Sequence, residues 1–240
     1  MIRRELDDYK ILLRNVPSLE VSLFIVSVIT MNLLANKEFI STKYLALDCG
    51  FTVSWVSFLC MDMICKRFGP KAAAKISILA MTVNLGVFVL FNLLARTPGM
   101  WGEYYSTEMI EVNDALNATF AGSWYIVLGS SIAMLASSIC NSIINHAIAK
   151  NLVGDSFKNF AIRSYVSTAI AQFVDNMVFA LLVSLHFFGW TPVQVFFCSL
   201  TGAAMELLCE VVFSPIGYKV AKEWEKEKVG EAYLSYREQQ

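Results

Sequence analysis

Charge is what this sequence has least of. Asp, Glu, Lys and Arg together make up 16% of its 240 residues, where a soluble domain carries about a quarter. The formal net charge of −1 leaves no basic surplus for a phosphate backbone, so nucleic acid is not expected as a partner. Histidine is nearly missing: His146 and His186 are the two present, and neither stands at metal-ligand spacing from a cysteine. The six cysteines (Cys49, Cys60, Cys65, Cys140, Cys198 and Cys209) form no CxxC pair and lie in or beside apolar runs. They read as small buried hydrophobes rather than metal ligands or disulfides. There is no HExxH, no GxSxG and no glycine-rich phosphate loop, so no enzyme activity, cofactor or metal is expected. The first fifteen residues mix both signs of charge with no small-residue cleavage site after them, unlike a cleavable signal.

What fills the space is apolar: 56% of the residues are hydrophobic. They cluster in runs of about 20, long enough to cross roughly 30 Å of hydrocarbon at 1.5 Å per residue. The chain therefore reads as an all-α membrane protein of six transmembrane helices. The expected spans are Ser18–Asn36, Tyr44–Cys65, Ala72–Ala95, Ser123–Ala149, Phe160–Leu185 and Pro192–Val220. Residues 1–17 form a cytoplasmic N-terminal segment, 18–220 the transmembrane domain and 221–240 a cytoplasmic tail. Orientation follows from the 19 lysines and arginines. Arg3, Arg4, Lys10, Arg14, Lys66, Arg67, Lys71, Lys75, Lys150, Lys158, Arg163, Lys219, Lys222, Lys226, Lys228 and Arg237 all fall on one side. Lys37, Lys43 and Arg96 fall on the other. The positive-inside rule then puts both termini in the cytoplasm.

The longest outer connection, Arg96 to Gly122, is acidic (Glu103, Glu108, Glu111, Asp114) and holds Trp101, Tyr104, Tyr105, Met109 and Ile110. It reads either as an interfacial helix or as a lid over an outward cavity. Asn117-Ala-Thr119 fits a glycosylation triplet that chance supplies often. The tail from Ala221 reads as a solvated helix continuing the last span, and no internal repeat is visible.

In lipid the ionisable and amide groups are the informative ones, because each costs about 2.5–3.5 kcal/mol at a helix centre unless it has a partner or a wet cavity. On the fifth span Thr168, Gln172, Asp175 and Phe179 share one face, with Arg163 and Ser167 toward the cytoplasm and Asn176 widening the stripe. An aspartate between an amide and an aromatic has the look of a ligand site more than of helix-packing glue. The sixth span places Glu206 and Glu210 one turn apart, where two readings stand open: proton carriers, or hydrogen-bonded structural acids. On the second span Asp48, Thr52, Trp55 and Asp62 are expected along one helical face. Asp48 would sit near the outer end and Asp62 near the inner, each a coupling or gating candidate. Asp62 has the alternative of pairing with Lys66 or Arg67, and Trp55 the alternative of simple packing. Ser137, Asn141 and Asn145 make a face of the fourth span that serves equally for helix adhesion. Asn32 and Asn36 close the first span, and Asn84 and Asn92 lie in the third.

The stretch Arg163-Ser-Tyr-Val-Ser-Thr-Ala-Ile-Ala-Gln-Phe-Val-Asp175-Asn-Met-Val-Phe179 resembles the fifth-helix signature R-x-x-x-S-T-x-x-x-Q-x-x-D-[ST]-x-x-F. That signature belongs to the queuosine precursor transporters, also called the vitamin uptake transporter family. Ala35-Asn36-Lys37, Asp62 with Phe68-Gly69, Ala136-Ser137 and Pro215-Ile-Gly-Tyr218 are similar to further family features, so the resemblance covers nearly the whole chain. Two departures stand out: Asn176 replaces a small hydroxyl, and Glu206 stands where many members have a lysine.

What the resemblance implies is import, across the bacterial cytoplasmic membrane, of 7-deazaguanine bases (queuine, preQ1 or preQ0) used for tRNA queuosine. The extra carboxylate of Glu206 would favour an amine-bearing base. Asp175 with Glu206 or Glu210 would bind N–H groups or the amine, while Gln172 and Asn141 or Asn145 read the lactam edge. Phe179 or Trp55 would stack on the ring. Arg163, Thr168 and Asn176 complete the expected binding set. The family is similar in helix count to the substrate-binding subunits of energy-coupling-factor transporters, and a subunit of that kind is the alternative to a secondary transporter. Such subunits typically carry an AxxxA-type contact in the first helix, and Ser18–Asn36 has none. Expected partners are the small nucleobase, the lipid bilayer and a second copy of the chain in a homodimer.

Overall fold

Pro17, Gly50, Gly69, Pro70, Gly122, Pro192 and Gly230 stand at helix ends in this chain. The computed structural model describes residues 2–102, 109–149 and 157–238. Within these, the side chains of residues 2–4, 142, 145, 146, 149, 157–161, 163 and 164 are not described. Helix α1 (Ile2–Asn15) meets α2 (Ser18–Leu34) at Pro17 with a bend of 104°. A short hairpin follows, β1 (Glu38–Ser41) antiparallel to β2 (Ala46–Asp48), with Ile40 opposite Leu47. Helix α3 (Phe51–Phe68) stops at Gly69, whose φ of +86° suits a residue without Cβ. Pro70 then opens α4 (Pro70–Leu94) at a position where its missing N–H costs nothing. Helix α5 (Ile110–Gly122) runs directly into α6 (Trp124–Ala149). Helix α7 (Phe157–Phe179) widens into a π-helical turn over Ala180–Ser184 before a last turn, Leu185–Phe187. Thr191 and Gln194 cap α8 (Pro192–Lys226) reciprocally, and α9 (Glu231–Glu238) closes the chain.

One boundary differs from the sequence expectation. The second span does not begin at Tyr44, because the chain there is the hairpin and its turn, held by Thr42 hydrogen-bonding Leu45 through both its hydroxyl and its backbone N–H. The helix waits for Gly50, where a Cβ would stand 2.7 Å from the Met31 carbonyl oxygen. Asp48 is therefore on a strand and shares no helical face with Thr52 and Trp55. The last helix runs on past Val220 into the tail, as expected: α8 is 35 residues long, roughly 50 Å at 1.5 Å per residue and longer than the hydrocarbon is thick. The outer connection is helical from Ile110, and its Trp101 indole donates to Asn117 Oδ1 at 2.9 Å. Glu103, Tyr104, Tyr105, Glu108 and Lys150 lie outside the described residues, as do the side chains of Arg3, Arg4, Asn145, His146, Lys158 and Arg163.

Among the described residues four helical stretches are long and apolar enough to cross a membrane: Pro70–Leu94, Ile110–Asn141, Tyr165–Phe187 and Pro192–Lys226. The bent pair α1–α2 supplies a fifth if it counts as one span. Helix α3 holds Asp62, Lys66 and Arg67 within 18 residues. Aliphatic side chains such as Leu90, Leu93, Ile132, Ile139, Val212 and Ile216 face outward, as lipid contact requires.

Helix register follows from a few contacts. Ser54 meets Glu206, and a Cβ on Gly217 would stand 2.9 Å from Leu59 Cδ1, so α3 and α8 run parallel. Asn176 meets Glu206 while Tyr165 meets Ser214 at 2.6 Å, so α7 and α8 run antiparallel. At one end of the bundle the hairpin is tied to the α7–α8 connection by Trp190 Nε1 donating to Glu38 Oε1 at 2.6 Å and Gln194 Nε2 to the Thr42 carbonyl at 2.8 Å.

At the other end the two chain termini dock on the α3–α4 junction. Leu12, Val16, Phe24, Ile64, Phe68, Trp224 and Tyr233 form one buried cluster there. Arg67 Nε donates to the Val229 carbonyl at 3.0 Å, and Tyr9 hydroxyl to the Lys75 carbonyl at 2.8 Å. Gly230 (φ +74°) lies against the Phe68 ring, where a side chain would collide. Lys75 joins α1 to α4 through Asp8, which is buried, and exposed Glu5 at 2.9 Å. The Lys75 ammonium holds the Glu5 carboxyl below its ordinary range.

The burial contrast sets an expectation. Lys75→Met strands the buried Asp8 carboxylate and should lower unfolding free energy in detergent by roughly 2–4 kcal/mol. Glu5→Gln, at an exposed and solvent-screened pair, should leave it essentially unchanged. Denaturant titration of both variants measures the difference.

Candidate functional site

Buried carboxylates need donors, and the donors available in an apolar bundle are side chains from neighbouring helices. Glu206, 4% exposed on α8, finds two: the Ser54 hydroxyl of α3 donates to Oε1, and Asn176 Nδ2 of α7 donates to Oε2 at 3.0 Å. Asn176 also donates to the Gln172 carbonyl at 2.9 Å, which fixes its amide with Oδ1 toward Gly202. A Cβ at Gly202 would stand 3.1 Å from that oxygen, so a glycine is what lets α7 come this close. On the opposite wall Ser137 of α6 donates to Asp175 Oδ1 at 2.9 Å.

Glu206, Asn176, Gly202 and Asp175 border a cavity that opens to solvent, with about 520 Å³ of empty space when that open part is included. Helix α2 contributes Met31, Asn32 and Ala35; the hairpin Leu47 and Asp48; α3 Phe51 and Ser54; α6 Ser130. Helix α7 contributes Asp175, Asn176 and Phe179, and α8 Cys198, Gly202 and Glu206. Asp48 is anchored by the Gly50 N–H at 2.7 Å. Three carboxylates thus share one cavity with amides and two phenyl rings, and no lysine or arginine is among its described lining residues.

Five of the residues expected from sequence meet here: Asp48, Asp175, Asn176, Phe179 and Glu206. The others are placed elsewhere. Thr168 and Gln172 are buried off the cavity, with the Thr168 hydroxyl and both Gln172 side-chain polar atoms making no hydrogen bond to a described residue. Glu210, one turn below Glu206, is 1% exposed and does not line the cavity. Asn141 lies further along α6, its Oδ1 buried. Trp55 stacks on Phe213 (centroids 4.4 Å apart, planes at 13°) and turns its indole N–H onto the Thr52 carbonyl. Asp62 lines a separate groove with Lys66, Ser214 and Tyr218. The side chains of Arg163 and Asn145 lie outside the described residues.

Phe51, Ser54, Ser130 and Asn32 were not legible as site residues. Serines are everywhere in these helices, and only the depth of Glu206 singles out Ser54.

Residues 48–220 match a family model described as vitamin uptake transporter. The chain belongs to this family. It is a multi-pass, predominantly helical membrane transporter. Comparisons with curated proteins and with solved structures find no match. The matched range begins at Asp48 and spans the hairpin's second strand through α8 as far as Val220, so it includes every cavity residue except those of α2 and Leu47.

The Ser54–Glu206 bond is testable by itself. Ser54→Val leaves a buried carboxyl oxygen without its donor and should cost about 1–3 kcal/mol of stability. Ser54→Thr, which keeps the hydroxyl, should restore most of it; thermal unfolding of the three proteins in detergent is the measurement.

Proposed function

We propose that this transporter imports 7-deazaguanine bases (queuine, preQ1 or preQ0) as a six-span secondary transporter of the bacterial cytoplasmic membrane, with both termini inside. What carries the reading is the cavity, where Asp48, Asp175 and Glu206 face amides and aromatic rings with no described basic side chain among them. A flat heterocycle with several N–H donors suits that lining, because one carboxylate can accept two adjacent N–H bonds. Phe51 and Phe179 offer ring faces for its plane. Asn32, whose Nδ2 spends one proton on the Val28 carbonyl, supplies with the other the amide contact that reads the carbonyl edge, in the place of Gln172 and Asn141. The fifth-helix signature points to the same cargo, with its aspartate, Asp175, at the cavity wall.

A surplus of acids also ranks the candidates. A protonated amine gains a charge-assisted bond in a site shielded from water, and a nitrile does not. Queuine and preQ1 are therefore the favoured cargo over preQ0. Trp55 stands outside the stacking role because Phe213 already covers its face.

The decisive assay is tRNA queuosine in a host that makes no precursor of its own. Expression of this chain with each base supplied should restore it, and tRNA that stays unmodified with all three would sink the proposal. With purified protein, preQ1 should bind about tenfold or more tightly than preQ0, a difference of roughly 1.4 kcal/mol. Glu206→Gln should narrow that gap, and Asp175→Asn should weaken both ligands.

A further inference from the structure

Behind the outer cavity lies a second, narrower space, lined by Phe24, Met31, Ser57, Phe58, Met61, Met134, Ser137, Ser138 and Asp175. Two residues, Met31 and Asp175, border both spaces. The two linings follow the same helices in order. Along α3 the outer cavity takes Phe51 and Ser54, and the inner takes Ser57, Phe58 and Met61, one to two turns further on. Along α6 the step is from Ser130 to Met134 and Ser137. On the antiparallel helices the direction reverses as it should: α2 steps from Asn32 and Met31 back to Phe24, and α7 from Phe179 and Asn176 back to Asp175. Both sets therefore mark one line through the bundle, from the hairpin toward the docked termini.

The inner space also resembles the outer in chemistry. Its serine hydroxyls and the Asp175 carboxylate can meet the edge of a flat base, and Phe24 and Phe58 its faces. Three methionines surround it, and an unbranched thioether chain is the apolar group that most easily moves aside and returns. Its far wall, Phe24, belongs to the buried cluster under the two termini, so the line is closed at that end. Met31 and Asp175 are common to both linings, and Ser137 Oγ of the inner lining donates to Asp175 Oδ1 at 2.9 Å.

We propose that the inner cavity is a second, transit site for the same base, entered when Met31 swings aside and Asp175 exchanges Ser137 for the cargo. This rests on the substrate reading above and adds to it a station between capture and release. Capture belongs to Glu206, Asn176 and Asp48, which border the outer cavity alone. Transit belongs to Ser57, Met61 and Met134, which border the inner cavity alone.

Filling the inner cavity separates the two steps. Ser57→Phe and Met134→Trp, made singly on two different helices, should leave binding of preQ1 to purified protein within about twofold of the unaltered chain. Each should lower the rate of preQ1 uptake into cells by about tenfold or more. Retained binding also certifies that the variant is folded. Full uptake by both filled variants would overturn the transit site. So would loss of binding in both when their thermal unfolding matches the unaltered chain, because the two cavities would then be one site. If the unaltered chain neither binds nor takes up any of the three bases, it is the substrate reading that fails, and that is seen before any variant is made.

Discussion

The bundle is organised around one buried carboxylate. Glu206 sits inside an apolar assembly where an unpaired charge is prohibitively costly, so both of its oxygens must be met by donors. Those donors come from opposite flanks, Ser54 on α3 and Asn176 on α7, and this pins three helices at a common depth. The requirement propagates outward. Asn176 can reach only because Gly202 leaves room for it, and its amide is held from behind by the Gln172 carbonyl. Gly217 in turn lets α8 close against Leu59 and Met63, which sets the lower half of the α3–α8 contact. The cavity is the space left when α2, α6 and the hairpin pack around that fixed trio.

Much of this was legible in the sequence, and the parts that were not share a cause. Hydrophobic runs of the right length locate α2, α4, α6, α7 and α8 within a few residues, because an apolar helix has little other use. A helical stripe, however, says which residues share a face and not how deep the neighbouring space extends. Thr168, Gln172, Asp175 and Phe179 do form one stripe, yet only the last two reach the cavity, which ends at the level of Asp175. Asn176, a hundred degrees round from Asp175, reaches it as well because α8 approaches from that side. Trp55 and Ser54 make the same point on α3: the aromatic looked like the ligand group, but its adjacent serine is the one that faces inward.

The hairpin and the docked termini were hidden for a different reason. Tyr44–Asp48 runs straight into an apolar stretch and reads as the start of a helix, while the hairpin is tied down by contacts with Trp190 and Gln194 some 150 residues away. The tail looks solvated by composition, rich in Glu and Lys. Its few apolar residues, Trp224, Val229, Tyr233 and Leu234, nonetheless join Leu12, Phe68 and Ile64 in a single cluster. Long-range pairing of short segments leaves no periodic trace in a sequence.

Placed together, these features divide the work of the molecule along its length. At the hairpin end the acids outnumber every described counter-charge in the lining, so a cationic, N–H-bearing solute gains there what solvent would otherwise give it. At the other end an apolar cluster fills the exit. A site that only held tightly would be a trap, and the placement of Asp175 suggests how that is avoided. It borders both cavities, and its bond partner Ser137 lies on the inner side. On the proposed transit route it is the one of the three acids placed to accompany the cargo inward while Glu206, clamped by two donors, remains behind. In that proposal the fixed carboxylate serves recognition and the shared one serves release.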